Sequence, residues 1–192
     1  PPQTPPPPRL LYTGTLSEDR GALLHARLVT LAPAVEVHVV GRCADRLKER
    51  MKAAAGRESD RLHLDVSEAG VPYSEIAGCY AERWLAGLAL FPPTPHYVQK
   101  ELTKFFEYMG AGIPILCSDF PVWRELVEGT GCGLCVDPED PAAIAEAVSW
   151  LRDHPADARI MGRRGRQAVV ERYNWNSQAR QLLGLYDDLL SG

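Results

Sequence analysis

Apolar residues arrive along this chain in short continuous runs, and these runs alternate with longer stretches of helical spacing. The run Arg9–Gly14 reads as a buried strand ending in glycine, and Val35–Val40, β-branched and bounded by Pro33 and Gly41, reads as a second. Further strands are expected at Leu62–Val66, Leu88–Phe91, Pro114–Cys117 and Gly133–Val136. Between them the spacing predicts helices. One should start at an N-cap on Ser17, carry Glu18 and Asp19 in its first turn, and run to about Leu31. Others are expected at Ala44–Ala54, at Pro72–Leu85 (with Ile76, Tyr80 and Trp84 on one face), at Lys104–Gly110 and at Trp123–Glu128. Asp140 followed by Pro141 is a strong helix start, after which Ile144, Ala147, Val148 and Leu151 continue an apolar face. Two helices, about Pro155–Arg172 and Trp175–Leu190, complete the chain.

Strands that are continuously apolar, rather than alternating, are covered on both faces. With about six strand–helix alternations, the expected fold class is α/β: a Rossmann-like parallel sheet of about six strands with helices on both faces. Ligands of such sheets lie beyond the carboxyl ends of the strands. The loops after Gly14, Gly41, Phe91 and Cys117 are therefore where chemistry is expected.

Composition narrows the partners. A chain of 192 residues, 45% hydrophobic and 24% charged, can form one large domain with a sizeable core. The net charge of -4, with no long basic run, argues against nucleic acid. No apolar stretch approaches the roughly 20 residues of a membrane span. Five cysteines, an odd number in a core-rich chain, point to a reducing compartment such as the cytoplasm. Cys132 and Cys135 form a CxxC, but their flanks read as strand and no second ligand pair follows, so they are taken as small apolar residues and no metal is expected. Residues 1–8 hold six prolines and read as an extended segment outside the core. That segment is a ragged end, a docking ligand for a proline-binding module, or a linker to a preceding domain.

Two loops carry candidate chemistry. After the first strand, Gly14 lets backbone approach a ligand, the following helix start favours an anion, and Arg20 is its plausible partner. This is not a dinucleotide fingerprint, and a plain strand-to-helix turn fits it as well. The long loop after Phe91 leads to Thr103, a possible cap, and then to Lys104 and Glu107 on one helix face. That pair forms either a surface salt bridge or a binding constellation. Its apolar neighbours Phe105, Phe106, Tyr108 and Met109 argue for burial, and a buried carboxylate needs a partner. An ionised glutamate accepts two hydroxyl donors, which suits the 2′- and 3′-hydroxyls of a ribose.

The segment Thr103–Ile115, with its helix, Gly110-Ala111-Gly112 turn and Ile113-Pro114-Ile115 strand start, resembles the signature of the GT-B glycosyltransferases of the group 1 (family 4) type. The likeness extends to Cys132-Gly133-Leu134 with Val136-Asp137-Pro138, and to Arg172-Tyr173-Asn174-Trp175. Tyr12-Thr13-Gly14 with Arg20-Gly21 is similar to that family's donor-phosphate loop, where a lysine often stands in place of Arg20. The resemblance implies that residues 1–8 are a proline-rich linker from the acceptor-side domain and that residues 9–192 form the carboxyl-terminal, donor-binding domain, with the last helices packing across it.

The same resemblance implies a retaining transferase that uses a UDP-, GDP- or ADP-sugar, needs no cofactor or catalytic metal, and serves polysaccharide biosynthesis. Glu107 would bind the donor ribose. Arg20 and Lys104 would lie at the diphosphate, with Gly14 and the amides around Leu102 and Thr103. Gly41 and Arg42 would lie beside the base. Family members often carry a second glutamate where this chain has Gln99, a departure that touches contacts near the transferred sugar. Catalytic residues are expected in a partner, acceptor-side domain, through which peripheral membrane association could arise. His96 and His38 are read as non-catalytic. The rival functions are a non-catalytic nucleotide- or sugar-binding module and a nucleotide-sugar epimerase.

Overall fold

The computed structural model describes residues 7–191, so most of the proline-rich opening lies outside the described residues. Six parallel strands form one sheet in the order β3-β2-β1-β4-β5-β6. They are β1 (Arg9–Thr15), β2 (Glu36–Arg42), β3 (Leu62–Ser67), β4 (Ala86–Ala89), β5 (Ile115–Ser118) and β6 (Gly133–Val136). The helices are α1 (Ala22–Leu31), α2 (Asp45–Ala55), α3 (Tyr73–Cys79), α4 (Pro95–Val98) and α5 (Thr103–Ala111). After them come α6 (Pro121–Thr130), α7 (Pro141–Asp153), α8 (Pro155–Glu171) and α9 (Trp175–Ser191). This is the expected Rossmann-like class, and its strand order reverses between β1 and β4, the switch point where such sheets open a crevice.

Alternate residues of β1 serve opposite faces. Tyr12 packs on His25 of α1, with ring centroids 4.6 Å apart, whereas the Thr13 hydroxyl reaches Tyr80 and Tyr108 on the other side. Both faces are covered, which is why these strands read as continuous apolar runs.

Several element boundaries differ from the sequence expectation, each for a local reason. Ser17 does not cap a helix. Its hydroxyl turns to Asp19, a 3-10 turn spans Glu18–Arg20, and α1 begins only after Gly21. The helix expected over Pro72–Leu85 stops at Cys79, whose carbonyl accepts the Trp84 indole N–H at 2.7 Å while Tyr80 turns toward Thr13. The strand expected to reach Phe91 ends at Ala89, because side chains take over its backbone bonds. His25 Nε2 accepts from the Leu90 amide at 3.2 Å, and Ser118 Oγ both accepts from and donates to Phe91 at 2.7 Å. The long loop after Phe91 conceals α4. By contrast Asp140 caps α7 as expected, accepting from the amides of Ala142 and Ala143.

Of the two closing helices, α8 packs closely on α5. A Cβ added at Gly162 would sit 2.0 Å from the Gly112 carbonyl oxygen, so backbone approaches backbone there. Helix α9 leaves Trp175, Leu183, Leu189 and Leu190 exposed. Among the described residues no helix is long and apolar enough to cross a membrane. Gly162→Ala is expected to destabilise the chain by about 1–3 kcal/mol through overpacking. Gly110→Ala, with open space around the new methyl, should cost nothing. Differential scanning calorimetry of both variants checks this, and equal melting temperatures for the two would contradict it.

Candidate functional site

The crevice at the switch point exists because β1 and β4 part company early. Their pairing covers only Leu10 with Ala86 and Leu11 with Gly87. Beyond that the edge of β1 facing β4 needs other partners, and α5 supplies them. Tyr108 places its hydroxyl between the strands. It accepts from the Thr13 amide at 3.2 Å and lies 3.3 and 3.4 Å from the Leu11 and Leu88 carbonyl oxygens. One turn earlier, Lys104 Nζ donates to the Thr13 carbonyl at 3.0 Å. Residues four apart on one helix thus close the end of the strand and hold a cation at its carboxyl end.

The surroundings of Lys104 are unusual for an ammonium. Its Nζ lies 3.5 Å from the centroid of the Tyr12 ring and 5.2 Å from that of Phe91. Burial, and then the charge of Arg20, push its pKa well below the ordinary lysine value, while Glu107 opposes the shift. Arg20 is held by α4: its Nε donates to the Tyr97 hydroxyl at 2.9 Å and its Nη1 to the Thr15 carbonyl at 3.2 Å. Tyr97, hidden in a stretch read as loop, is therefore a site residue that sequence reasoning missed. Of the neighbouring acids, Asp19 favours the charged form of Arg20 and Glu107 that of Lys104, but among the described residues neither forms an ion pair with them. Glu18 is turned outward to Arg50 of α2, and Asp19 takes the Ser17 hydroxyl. The charge of Arg20 thus bears on Lys104, and among the described residues no carboxylate forms an ion pair with either, an arrangement that a bound anion would relieve.

Glu107 does not pair with Lys104. Its Oε2 accepts from the Tyr80 hydroxyl at 2.8 Å, and that hydroxyl lies 2.9 Å from Thr13 Oγ1. No hydrogen bond engages Oε1 among the described residues, and Oε2 keeps a second lone pair. Tyr80, which the spacing assigned to an apolar stripe, instead orients the carboxylate. Its phenol pKa is raised, chiefly by burial, so it stays a donor.

The remaining expected residues divide into two groups. Gly14 and Gly41 stand side by side in register at the ends of β1 and β2, with φ of 107° and 149°. A Cβ on Gly41 would lie 2.1 Å from the Gly14 carbonyl oxygen, so only glycine fits there. Arg42 follows, its carbonyl accepting from the Leu16 amide and its exposed side chain without a hydrogen-bond partner among the described residues. At α5 the cap is Leu102 and not Thr103, which is the first helical residue. No side chain caps the helix, so its first amides remain available to an anion beside Lys104. Gln99 is exposed at the end of α4. Glu101 lines a groove with Phe106, Tyr173 and Trp175. His96 is exposed and faces Lys100 at 3.3 Å.

Comparison with known proteins gives the same direction. The model of a family described as glycosyl transferase-like matches residues 22–184. The chain is 31% identical over 86 residues to the MMP alpha-(1->4)-mannosyltransferase of Mycolicibacterium hassiacum, a stretch covering 44% of this chain and 21% of that protein. Among solved structures, sucrose-phosphate synthase from Thermosynechococcus elongatus superimposes with a TM-score of 0.79 at 22% identity, over 96% of this chain and 46% of that one. HepE of Anabaena, solved in complex with UDP, gives 0.78 at 16% identity, over 95% of this chain and 49% of its own. At these identities the structural likeness bears on the fold alone. The chain spans about half the length of these solved proteins, and its aligned stretch about a fifth of the mannosyltransferase.

Proposed function

The chain belongs to the glycosyl transferase-like family, and from that premise we propose that it is the donor-binding half of a retaining glycosyltransferase. The donor is a nucleotide-diphosphate sugar carrying UDP, GDP or ADP. The acceptor is a glycan, a lipid-linked sugar or a small molecule. One observation carries this reading: at the carboxyl end of β1 the charge of Arg20 bears on Lys104, no carboxylate among the described residues forms an ion pair with either, and Glu107 stands one turn further along the same helix. The complex of HepE with UDP supports a nucleotide in such a fold, and the mannosyltransferase relative supports sugar transfer.

In this reading the Glu107 carboxylate accepts the ribose hydroxyls while Tyr80 holds it in place. The diphosphate lies between Lys104, Arg20 and the first amides of α5, close to Gly14. Gly41 and Arg42 border the base, and Gln99 faces the transferred sugar. Negative charge gathers on the nucleoside diphosphate as the sugar departs, and fixed cations and helix amides stabilise it without reorganising. An acceptor-side domain supplies the opposite wall.

The 192-residue chain alone is expected to bind a nucleoside diphosphate but not to transfer sugar, because the described residues form one wall of a cleft. An assay with radiolabelled nucleotide sugars and mixed acceptors tests this. Transfer by the chain alone above background hydrolysis would refute the two-walled account.

A further inference from the structure

A second cluster lies on the sheet well away from the cations. His38 and His63 are register partners on β2 and β3, and Glu36, two residues before His38, shares their face. Glu36 Oε2 is 3.2 Å from His38 Nε2 and 3.6 Å from His63 Nε2, and one ligand atom from each residue falls within 4.8 Å of the other two. The two rings stack at 4.2 Å, and His63 Nε2 is buried with no hydrogen-bond partner. Trp84 meets His38 edge-on at 5.2 Å and forms one wall. Arg9 covers Trp84, and its charge is matched by Glu82 at 2.8 Å.

We propose that Glu36, His38 and His63 form a binding site for one divalent transition-metal cation of the zinc class, with its remaining positions open to water. Two imidazoles and one carboxylate suit such an ion, whereas calcium and magnesium prefer oxygen donors throughout. Bonds of about 2.0–2.1 Å to a tetrahedral centre set donor atoms roughly 3.3 Å apart. The two carboxylate–imidazole separations lie on either side of that value, and binding would turn the rings out of their stack, since each imidazole donates in its own plane. The site is separate from the donor crevice. His38 lies three residues before Gly41, about 10 Å back along the strand toward its amino end. Among the described residues strand β3 is a sheet edge that pairs with β2 alone, so an ion held from both strands would fasten that edge. Sequence spacing could not show the cluster, because His63 stands 25 residues from His38 and meets it only through strand register.

Titration of the metal-free, tag-free chain with zinc chloride, and in parallel with cobalt(II) followed by visible absorption, tests the site. One equivalent should bind, with d–d bands and no thiolate charge-transfer band. His63→Ala and Glu36→Gln should each weaken zinc binding by at least about tenfold, the lower bound for losing even an outer-shell partner. His63→Gln serves if His63→Ala does not fold, as judged by circular dichroism. Unchanged affinity in the variants, no saturable uptake by the parent, or a thiolate band assigning the ion to Cys117, Cys132 or Cys135 would overturn the proposal.

Discussion

Replacing Lys104 with methionine is expected to weaken nucleoside-diphosphate binding by about 1.5–3 kcal/mol, the scale of a hydrogen bond to a charged group. It should also abolish proton uptake on binding. Burial, and secondarily the charge of Arg20, hold the folded-state pKa of Lys104 well below its unfolded value. Between that lowered value and the ordinary lysine value of about 10.4, the unfolded chain binds more protons than the folded one. By linkage, the contribution of Lys104 to stability then rises with pH across the window. A diphosphate arriving between Lys104 and Arg20 restores the charged form, so binding in that window draws a proton from solution. Calorimetric titration in buffers of differing ionisation enthalpy measures this uptake. In Lys104→Met both the uptake and the lysine's share of the pH-dependent melting should vanish. Affinity within twofold of the parent, or unchanged uptake, would remove Lys104 from the site.

Glu107→Gln should weaken the same ligand by about 1.5–3 kcal/mol, because the ribose hydroxyls lose a charged acceptor. The fold should change little. The amide keeps the shape of the side chain, and its oxygen can still accept from the Tyr80 hydroxyl, now 2.8 Å from Glu107 Oε2. Tyr80→Phe offers a control, since it removes the donor that orients the carboxylate but leaves its charge, and the loss should be smaller. A 2′,3′-dideoxy nucleoside diphosphate should bind the parent more weakly than the normal ligand and should bind Glu107→Gln equally well. A lower melting temperature with nucleotide affinity intact would make Glu107 a structural residue instead.

The parts of this account legible in the sequence were those set by local chemistry. Asp140 caps a helix that begins at Pro141, and the apolar run Gly133–Val136 is strand from end to end. Gly14 and Gly41 are legible as strand ends, because a positive φ there calls for glycine. What escaped depended on contacts between residues distant in the chain. Strand β4 stops at Ala89 because His25 and Ser118 take the bonds of Leu90 and Phe91. Helix α3 stops at Cys79 and releases Tyr80, whose role rests on Thr13 and Glu107, 67 and 27 residues away. Lys104 and Glu107 share one helix face, yet each turns to a different partner, the Thr13 carbonyl for one and Tyr80 for the other. Spacing finds faces, and the fold decides what meets them.

The central claim is that a nucleoside diphosphate sits at the carboxyl ends of β1 and β2 against the start of α5. Amide chemical-shift mapping of the isotopically labelled chain during titration with UDP, GDP and ADP tests it directly. At least one of the three should shift the amides of Gly14, Gly41, Thr103 and Lys104 in a saturable way, leaving the amino-terminal edge of the sheet unmoved. Saturable shifts confined to the groove of Glu101, Phe106, Tyr173 and Trp175, or no response to any of the three, would contradict it.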